Sequence, residues 1–318
     1  MKDVLSIGID VGSTTVKMVV MNKNKNILYS VYERHYSDTK RTIKKLFDDI
    51  LSKFKSDKFS IIMTGSGAIS LAKFVDLPFV QEVIACKNAI NEYAKSTDVA
   101  IELGGEDAKI IYFDQTIEQR MNGSCAGGTG AFLDQMAVLL NTTTEGLNEL
   151  AKNGTVIYPI ASRCGVFAKT DVQPLLNEGA KKEDIALSIM QAVVNQTISG
   201  LACGKPIRGN VIFLGGPLNY LSVLKERFVK TLDLKDDEII TPDDARLFVC
   251  IGAILDKEKR KVYSKKEVVK IVNKLMDFKE TSSNNLECLF TDEDDYKNFI
   301  KRHNKAKVKR KDLSTYTG

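Results

Sequence analysis

Two cysteines lie in glycine-bearing turns, Cys125 within residues 122–130 and Cys164 within residues 162–167. Each turn leads into a stretch of helical pattern, and a helix N-terminus favours the thiolate form that binds metal. An iron–sulfur cluster usually takes four cysteine thiolates, whereas one chain offers only this pair. Because two copies about a twofold axis would supply the full set, the pattern predicts one cluster shared across a homodimer.

The other potential metal ligands show no comparable pattern. The chain has only two histidines, so histidine-rich zinc sites and a Ser-His-Asp triad are not favoured. The remaining cysteines are scattered, which is typical of a protein of the reducing cytoplasm rather than of a secreted disulfide scaffold. We predict that they are small buried apolar side chains: Cys86, Cys203, Cys250 and Cys288.

Residues 10–17, Asp-Val-Gly-Ser-Thr-Thr-Val-Lys, form a turn between two apolar runs that suits a phosphate. Glycine lets the backbone approach a ligand closely, and the hydroxyl residues add donors. Asp10 can hold Mg²⁺ through water, and the charge of Lys17 offsets that of a phosphate. The spacing fits neither a Walker loop nor a dinucleotide fingerprint, and a plain hairpin is the less favoured alternative. The predicted phosphate-binding residues are Gly12, Ser13, Thr14, Thr15 and Lys17.

Residues 102–109, Glu-Leu-Gly-Gly-Glu-Asp-Ala-Lys, repeat this arrangement. In both turns an acid ends an apolar strand and a glycine follows two residues later. Two such turns facing each other would clamp a triphosphate and its metal, with Glu102, Glu106 and Asp107 orienting the attacking water and the Mg²⁺ shell. Further contacts are predicted from the glycines of this turn and from a run after a buried strand, beside the adenosine: Gly104, Gly105, Gly215, Gly216 and Pro217.

The elements that must position these turns follow from hydrophobic periodicity. The opening is read as strand, turn, strand over residues 4–21, and the same pattern returns over residues 99–113. We therefore predict an α/β fold with two duplicated lobes. The predicted divisions are a first lobe at 1–96 completed by a helix at 242–256, a second lobe with the cluster cysteines at 97–241, and a charged, irregular appendage at 257–318.

Composition and charge restrict the functional classes. With 43% hydrophobic and 27% charged residues the chain is ordinary and globular. The net charge is +5, but seven Lys and Arg residues lie in 301–311, so the rest of the chain is mildly acidic. We interpret this tail as solvated and expect no nucleic acid partner. No signal peptide and no apolar run long enough to span a membrane are recognised, which favours the cytoplasm.

Taken together, the turns at 7–17 and 101–109 and the run at 211–217 resemble the phosphate and adenosine elements of the superfamily of actin, sugar kinases and heat-shock chaperone ATPases. The resemblance implies an actin-like (ribonuclease H-like) ATPase fold. It also implies a cleft between the lobes for ATP or ADP with Mg²⁺.

The two cysteine turns narrow the resemblance to the activators of 2-hydroxyacyl-CoA dehydratases and the related ATPase subunits of benzoyl-CoA reductase, over about residues 4–256. It implies an ATPase in which the residues matching Cys125 and Cys164 bind one 4Fe–4S cluster per homodimer. The electron would come from reduced ferredoxin or flavodoxin and pass to a partner dehydratase or reductase.

Two features depart from the short members of that family. The family usually has Asp and Gln where this chain has Glu102 and Glu106, so we expect slower or differently regulated hydrolysis. Residues 287–318 resemble the stretch after the first activator domain in long fused members, which would place the partner in the same natural polypeptide. Two other functions of the same fold stay open: a small-molecule kinase, for example on an amino sugar, and a non-redox nucleotide-sensing ATPase.

Overall fold

The structure is a computed structural model that describes residues 4–114, 116–122, 127–161, 165–279 and 288–308 of the 318-residue chain. The strands are β1 (Leu5–Val11), β2 (Thr15–Met21), β3 (Ile27–Arg34), β4 (Lys58–Thr64), β5 (Val99–Leu103), β6 (Ala108–Phe113), β7 (Ile117–Met121), β8 (Val211–Leu214), β9 (Ile239–Ile240) and β10 (Val262–Ser264). The helices are α1 (Thr39–Lys53), α2 (Ile69–Val75), α3 (Glu82–Tyr93), α4 (Gly130–Leu139), α5 (Thr144–Lys152), α6 (Gly165–Asn177), α7 (Lys182–Thr197), α8 (Gly216–Tyr220), α9 (Ser222–Leu232), α10 (Phe248–Ile254), α11 (Lys265–Met276) and α12 (Glu293–Lys305).

Two five-stranded sheets share one strand pattern. The first has the order β10-β4-β1-β2-β3 and the second the order β7-β6-β5-β8-β9. In each, an antiparallel hairpin is followed by a third antiparallel strand, and a later strand returns parallel to the first. The register also repeats, since Asp10 lies opposite Lys17 and Glu102 lies opposite Lys109. The predicted α/β fold with an internal duplication is confirmed.

Each sheet packs an outer face on its own helices and an inner face on the central pair α3 and α10. Alternate residues of β1 and β5 belong to the outer hydrophobic cores. Ile9 clusters with residues of α1 and α2, and Ile101 clusters with residues of α4 and α7. The two central helices approach closely at Gly252, where an added methyl group would overlap the Ala85 carbonyl. The absence of a side chain at Gly252 is therefore what lets the two helices come this close.

The stretch after α10 is more ordered than its sequence suggested. Strand β10 extends the first sheet by pairing Tyr263 with Phe59 of β4, and α11 starts with a capping box between Ser264 and Glu267. Apolar residues of α11 are buried against the first sheet. The prediction that a separate appendage begins at residue 257 is wrong for these two elements, because both pack on the first sheet. Many lysines on the exposed face of α11 obscure its short apolar stripe in the sequence. The lobe limits at 96/97 and 241/242 stay predictions.

Residues Lys279–Gly318 form a separate unit. Within it, α12 is capped by Asp292, whose side chain accepts from the Asp295 amide at 2.8 Å. Acidic residues occupy its first turn and basic residues its last, as the helix dipole favours.

One helix of the described chain has the length and apolar composition of a membrane span, the segment Lys182–Ala202, which comprises α7 and its π-helical continuation. No apolar run of this length was predicted from the sequence. Of its most apolar window, 72% is buried inside the protein, which is the pattern of a core helix.

Candidate functional site

The first turn, between β1 and β2, is closed by a hydrogen bond from the Gly12 amide to the Thr15 carbonyl at 2.9 Å. His35 supports it from behind: its amide donates to the Thr14 carbonyl, and its Nε2 lies 3.2 Å from the Gly12 carbonyl. Because the Ser37 amide approaches Nδ1, the tautomer with the proton on Nε2 satisfies both contacts. Ser13 is exposed at the tip and Thr15 is buried.

The second turn, between β5 and β6, has the same hydrogen bond, from the Gly104 amide to the Asp107 carbonyl at 2.7 Å. Asn122 supports it, donating to the Glu106 carbonyl at 3.0 Å and accepting from the Ala108 amide at 2.7 Å. Glu106 is exposed and Asp107 is half-buried. The two turns are therefore equivalent in backbone geometry.

The turns face and touch each other. A methyl group added at Gly105 would overlap the Thr14 side chain, so the tips of the two turns are in direct contact. The two turns therefore face each other, whereas the binding of a triphosphate between them stays a prediction.

A loop follows each parallel strand and packs beneath one turn. Gly65 after β4 has φ +98°, and Gly215 after β8 has φ +89°, both in the region that favours glycine. A methyl group at Gly65 would collide with the Val11 carbonyl and the Asp10 carboxylate, and one at Gly215 with the Leu103 carbonyl. The first of these loops was not recognised as part of the site, although its Thr-Gly-Ser-Gly composition indicates a turn.

A cavity of about 250 Å³ lies between the turns and the first helices of the second sheet. Five of the predicted site residues line it: Thr14, Thr15, Gly105, Gly216 and Pro217. The lining also includes residues that the sequence analysis missed: Tyr32, Arg34, Gly130, Ala131, Leu133, Asp134, Thr144, Glu145, Tyr220 and Leu221.

Aromatic and charged side chains join the two walls of the cavity. The rings of Tyr32 and Tyr220 meet edge to face at 5.8 Å between centroids. Arg34 of β3 makes two hydrogen bonds to Asp134 of α4, at 2.8 and 3.1 Å. Burial opposes ionisation of Asp134, but its hydrogen bonds from Arg34 and Thr144 outweigh it and lower the pKa of the carboxyl. Arg34 and Asp134 are 100 residues apart in the chain, and Tyr32 and Tyr220 are further apart still, so no local pattern reveals these contacts.

Beneath the turns lies a buried group of charges. Lys17 forms an ion pair with Asp10 at 2.6 Å, whereas the ammonium of Lys109 contacts Glu82 directly and lies 3.9 Å from Glu102. Burial disfavours the charge of Lys17, yet the neighbouring Asp10 and Tyr32 more than compensate and raise its pKa. Burial raises the pKa of Glu102, and Lys109 only partly offsets this.

The surroundings of Asp10 fit a hydrated cation rather than a directly bound one. Asp10 is only 4% exposed and already carries the ammonium of Lys17. Beside it on β4, the buried hydroxyl of Thr64 has no hydrogen-bond partner among the described residues, and an ordered water satisfies atoms of this kind. Over the described ranges, no group of three or more His, Cys, Asp or Glu side chains could hold a metal ion.

Cys125 and Cys164 lie outside the described residues. The residues that flank them converge, because Gly127 and Gly128 on one side and Ala161 and Gly165 on the other line a single small cavity. Phe132 and Gln196 complete its lining.

The start of α4 is attached to the second turn. The amide of Gly130 donates to the Gly104 carbonyl at 3.0 Å, and the amide of Ala131 donates to the Gly105 carbonyl at 2.7 Å. The backbone that follows the Cys125 segment is therefore held by the predicted phosphate turn.

The other cysteines divide into two kinds. Cys86 and Cys250 are fully buried, as predicted, and burial raises the pKa of each thiol. For Cys203 and Cys288 the prediction is wrong, because both are exposed.

Comparisons with known proteins agree with this geometry. The profile of the BadF/BadG/BcrA/BcrD ATPase family matches residues 7–255. An uncharacterised protein of Methanocaldococcus jannaschii is 31% identical over 78% of this chain and 99% of its own length. The 2-hydroxyisocaproyl-CoA dehydratase activator of Clostridioides difficile is 29% identical over 84% of this chain and 99% of its own length.

Among solved structures, component A of the Acidaminococcus fermentans (R)-2-hydroxyglutaryl-CoA dehydratase superposes with a TM-score of 0.69. It is 28% identical, and the match covers 79% of this chain and 96% of that one. The predicted resemblance and the actin-like fold are confirmed. The chain belongs to the BadF/BadG/BcrA/BcrD ATPase family.

Proposed function

We propose that this protein is an ATP-dependent reductive activator. It would pass one electron from a 4Fe–4S cluster, shared by two copies of the chain, to an iron–sulfur enzyme of the 2-hydroxyacyl-CoA dehydratase or benzoyl-CoA reductase type. Its family and the names of its relatives support this function. The structural observation that carries it is the attachment of α4 to the second turn, because it connects the nucleotide turns to the Cys125 segment.

At the nucleotide site, the two turns would have different roles. In this proposal Asp10 holds Mg²⁺ through water, and Glu102, Glu106 and Asp107 orient the attacking water and the metal shell. The loop after β8 lies beside the adenosine. The backbone and side chains that would bind phosphate are Gly12, Ser13, Thr14, Thr15, Lys17, Gly104 and Gly105, and those beside the adenosine are Gly215, Gly216 and Pro217.

At the other end, Cys125 and Cys164 of both subunits would supply the thiolates. The convergence of their flanking residues on one small cavity fits this set. The cluster, when bound, supplies a one-electron carrier. A shift of the second turn on ATP binding or hydrolysis would move the first residues of α4, and with them the cysteine segment.

The electron donor would be reduced ferredoxin or flavodoxin, and the setting the cytoplasm. The partner would be a separate dehydratase or reductase, or a further domain of the same natural polypeptide. The final acyl-CoA substrate is a property of that partner.

The test is iron and acid-labile sulfide content after anaerobic preparation. We expect about four of each per dimer in the wild type and loss of both in Cys125→Ser and in Cys164→Ser. Cys203→Ser, which changes an exposed cysteine, is the matched control and should keep the wild-type content. Absence of iron and sulfide from reconstituted wild type would contradict the redox function and favour a kinase or a nucleotide sensor.

A further inference from the structure

Glu82, the first residue of α3, contacts both halves of the site. Its Oε1 accepts from the Ser66 amide at 2.8 Å, and its Oε2 accepts from the ammonium of Lys109. Ser66 belongs to the loop that packs against the first turn, since a methyl group at the adjacent Gly67 would approach Val11 within about 3.0 Å. Lys109 follows the second turn on β6. One carboxylate therefore joins the loop of the first sheet to the hairpin of the second.

The charges beneath the turns do not balance. Three carboxylates and two ammonium groups lie together, of which Asp10, Glu102 and Lys109 are buried and Glu82 and Lys17 are partly buried. Lys17 pairs with Asp10, whereas Lys109 contacts Glu82 and makes only a longer ion pair, at 3.9 Å, with Glu102. Glu102 consequently has the weakest ion pair of the three carboxylates.

Glu82 keeps Lys109 in that position. Burial opposes ionisation of Glu82, but Lys109 and the Ser66 amide outweigh it and lower the pKa of the carboxyl, so Glu82 stays charged. An acidic residue in the first turn of a helix is also favoured by the helix dipole. Without this charge, Lys109 would have Glu102 as its nearest carboxylate, and a buried ammonium does not stay unpaired.

We propose that Glu82 is a positioning residue for ATP hydrolysis, which holds Lys109 away from Glu102 and so leaves the Glu102 carboxylate available at the nucleotide. This inference rests on the role proposed for Glu102 in hydrolysis. It does not depend on the cluster. Glu82 accepts a hydrogen bond from Lys109, so its effect on Glu102 would pass through that ammonium.

The experiment compares steady-state ATP hydrolysis of the purified protein over a range of Mg²⁺ concentrations. In Glu82→Gln we expect kcat to fall about tenfold or more, with KM for ATP changed less than about threefold. The Mg²⁺ concentration for half-maximal rate should rise, because the buried group loses a negative charge and Lys109 neutralises Glu102.

The double variant Glu82→Gln/Lys109→Met separates this role from a structural one. It restores the net charge of the buried group and removes the ammonium that would capture Glu102. Its kcat and Mg²⁺ dependence should therefore return toward wild type, within about threefold, although the hydrogen bond between positions 82 and 109 is still missing. Glu92→Gln on the same helix breaks an exposed ion pair with Lys25 and is the control that should match wild type.

Wild-type kcat and Mg²⁺ dependence in a folded Glu82→Gln would overturn the inference, as would a loss that the double variant does not relieve. If Glu82→Gln does not fold, Glu82→Asp, which keeps the charge at shorter reach, should give a smaller kcat loss of the same kind. A wild type that hydrolyses ATP but holds no iron contradicts the proposed activator function and leaves the role of Glu82 to be judged from the variants.

Discussion

The two hairpin turns of this protein have the same backbone and different electrostatics. Each is closed by a hydrogen bond from a glycine amide to a carbonyl three residues later, and each places an acid opposite a lysine. In the first turn, Asp10 and Lys17 form a direct pair. In the second, the longer acid Glu102 stands apart while its lysine binds Glu82. The two turns thus have the same backbone geometry, whereas the ion pairs of their lysines differ.

Because of this difference, the charges of Asp10 and Glu102 affect the stability of the fold differently. Asp10 is neutralised in place, so its substitution leaves a buried ammonium without a partner. Glu102 is buried and makes only a long ion pair, at 3.9 Å, with Lys109, so its charge costs stability. A carboxylate held at such a cost is typical of a functional position.

The largest expected effect comes from the first turn. We expect Asp10→Asn to lower ATP hydrolysis by at least about 100-fold, because the proposed water-mediated anchor for Mg²⁺ is lost, and to destabilise the fold by about 3–5 kcal/mol, because Lys17 keeps its charge without its partner. Hydrolysis rates and urea unfolding measure the two effects.

Asp10→Asn/Lys17→Met separates these effects. Removal of both charges should restore most of the stability but none of the hydrolysis. Recovery of hydrolysis in this double variant would show that Asp10 acts only through its ion pair.

An intermediate effect is expected where the turns touch. Gly105→Ala should raise KM for ATP by about tenfold, because the new methyl group overlaps Thr14 and forces the turns apart. The corresponding change at Gly12, where the nearest described atom is 3.5 Å away, should leave the two turns in place, so any rise of KM there would come from contact with the phosphate. In a Thr14→Ala background, which lacks both the hydroxyl and the methyl group that the new methyl would overlap, Gly105→Ala should raise KM much less. An equal rise in both backgrounds would mean that the turns do not meet in the working enzyme.

The smallest effect concerns stability and pH. Burial is the main cause of the raised pKa of Glu102, so the unfolded carboxyl ionises before the folded one as pH increases. The folded state therefore loses stability from about pH 4.3 upward, through the raised pKa of the folded protein. Glu102→Gln avoids this loss, and we expect Tm to rise by about 2–4 °C at pH 7, with the gain shrinking toward pH 4.

Thermal unfolding at several pH values tests this expectation. Glu106→Gln, at the exposed tip of the same turn, should leave Tm nearly unchanged. A gain for Glu102→Gln that is equally large at pH 4 and pH 7 would show that ionisation is not its cause.

Much of this protein could be predicted from its sequence. Strand-turn-strand patterns with an acid before a glycine identified both turns, and α1 shows the same kind of local regularity in the helical spacing of its buried Ile43, Leu46 and Phe47. These features depend on residues close together in the chain, so alternation and helical spacing reveal them. The family resemblance rests on the same local runs.

The contacts between these elements are determined by the tertiary structure. Glu82 reaches Lys109, Arg34 reaches Asp134, and the tips of the turns meet at Gly105, although each pair is far apart in sequence. Such contacts depend on how the two sheets pack around α3 and α10, and no local periodicity encodes that packing. The residue types at the site were therefore readable from the sequence, whereas the choice of partner for each charge was made by the fold.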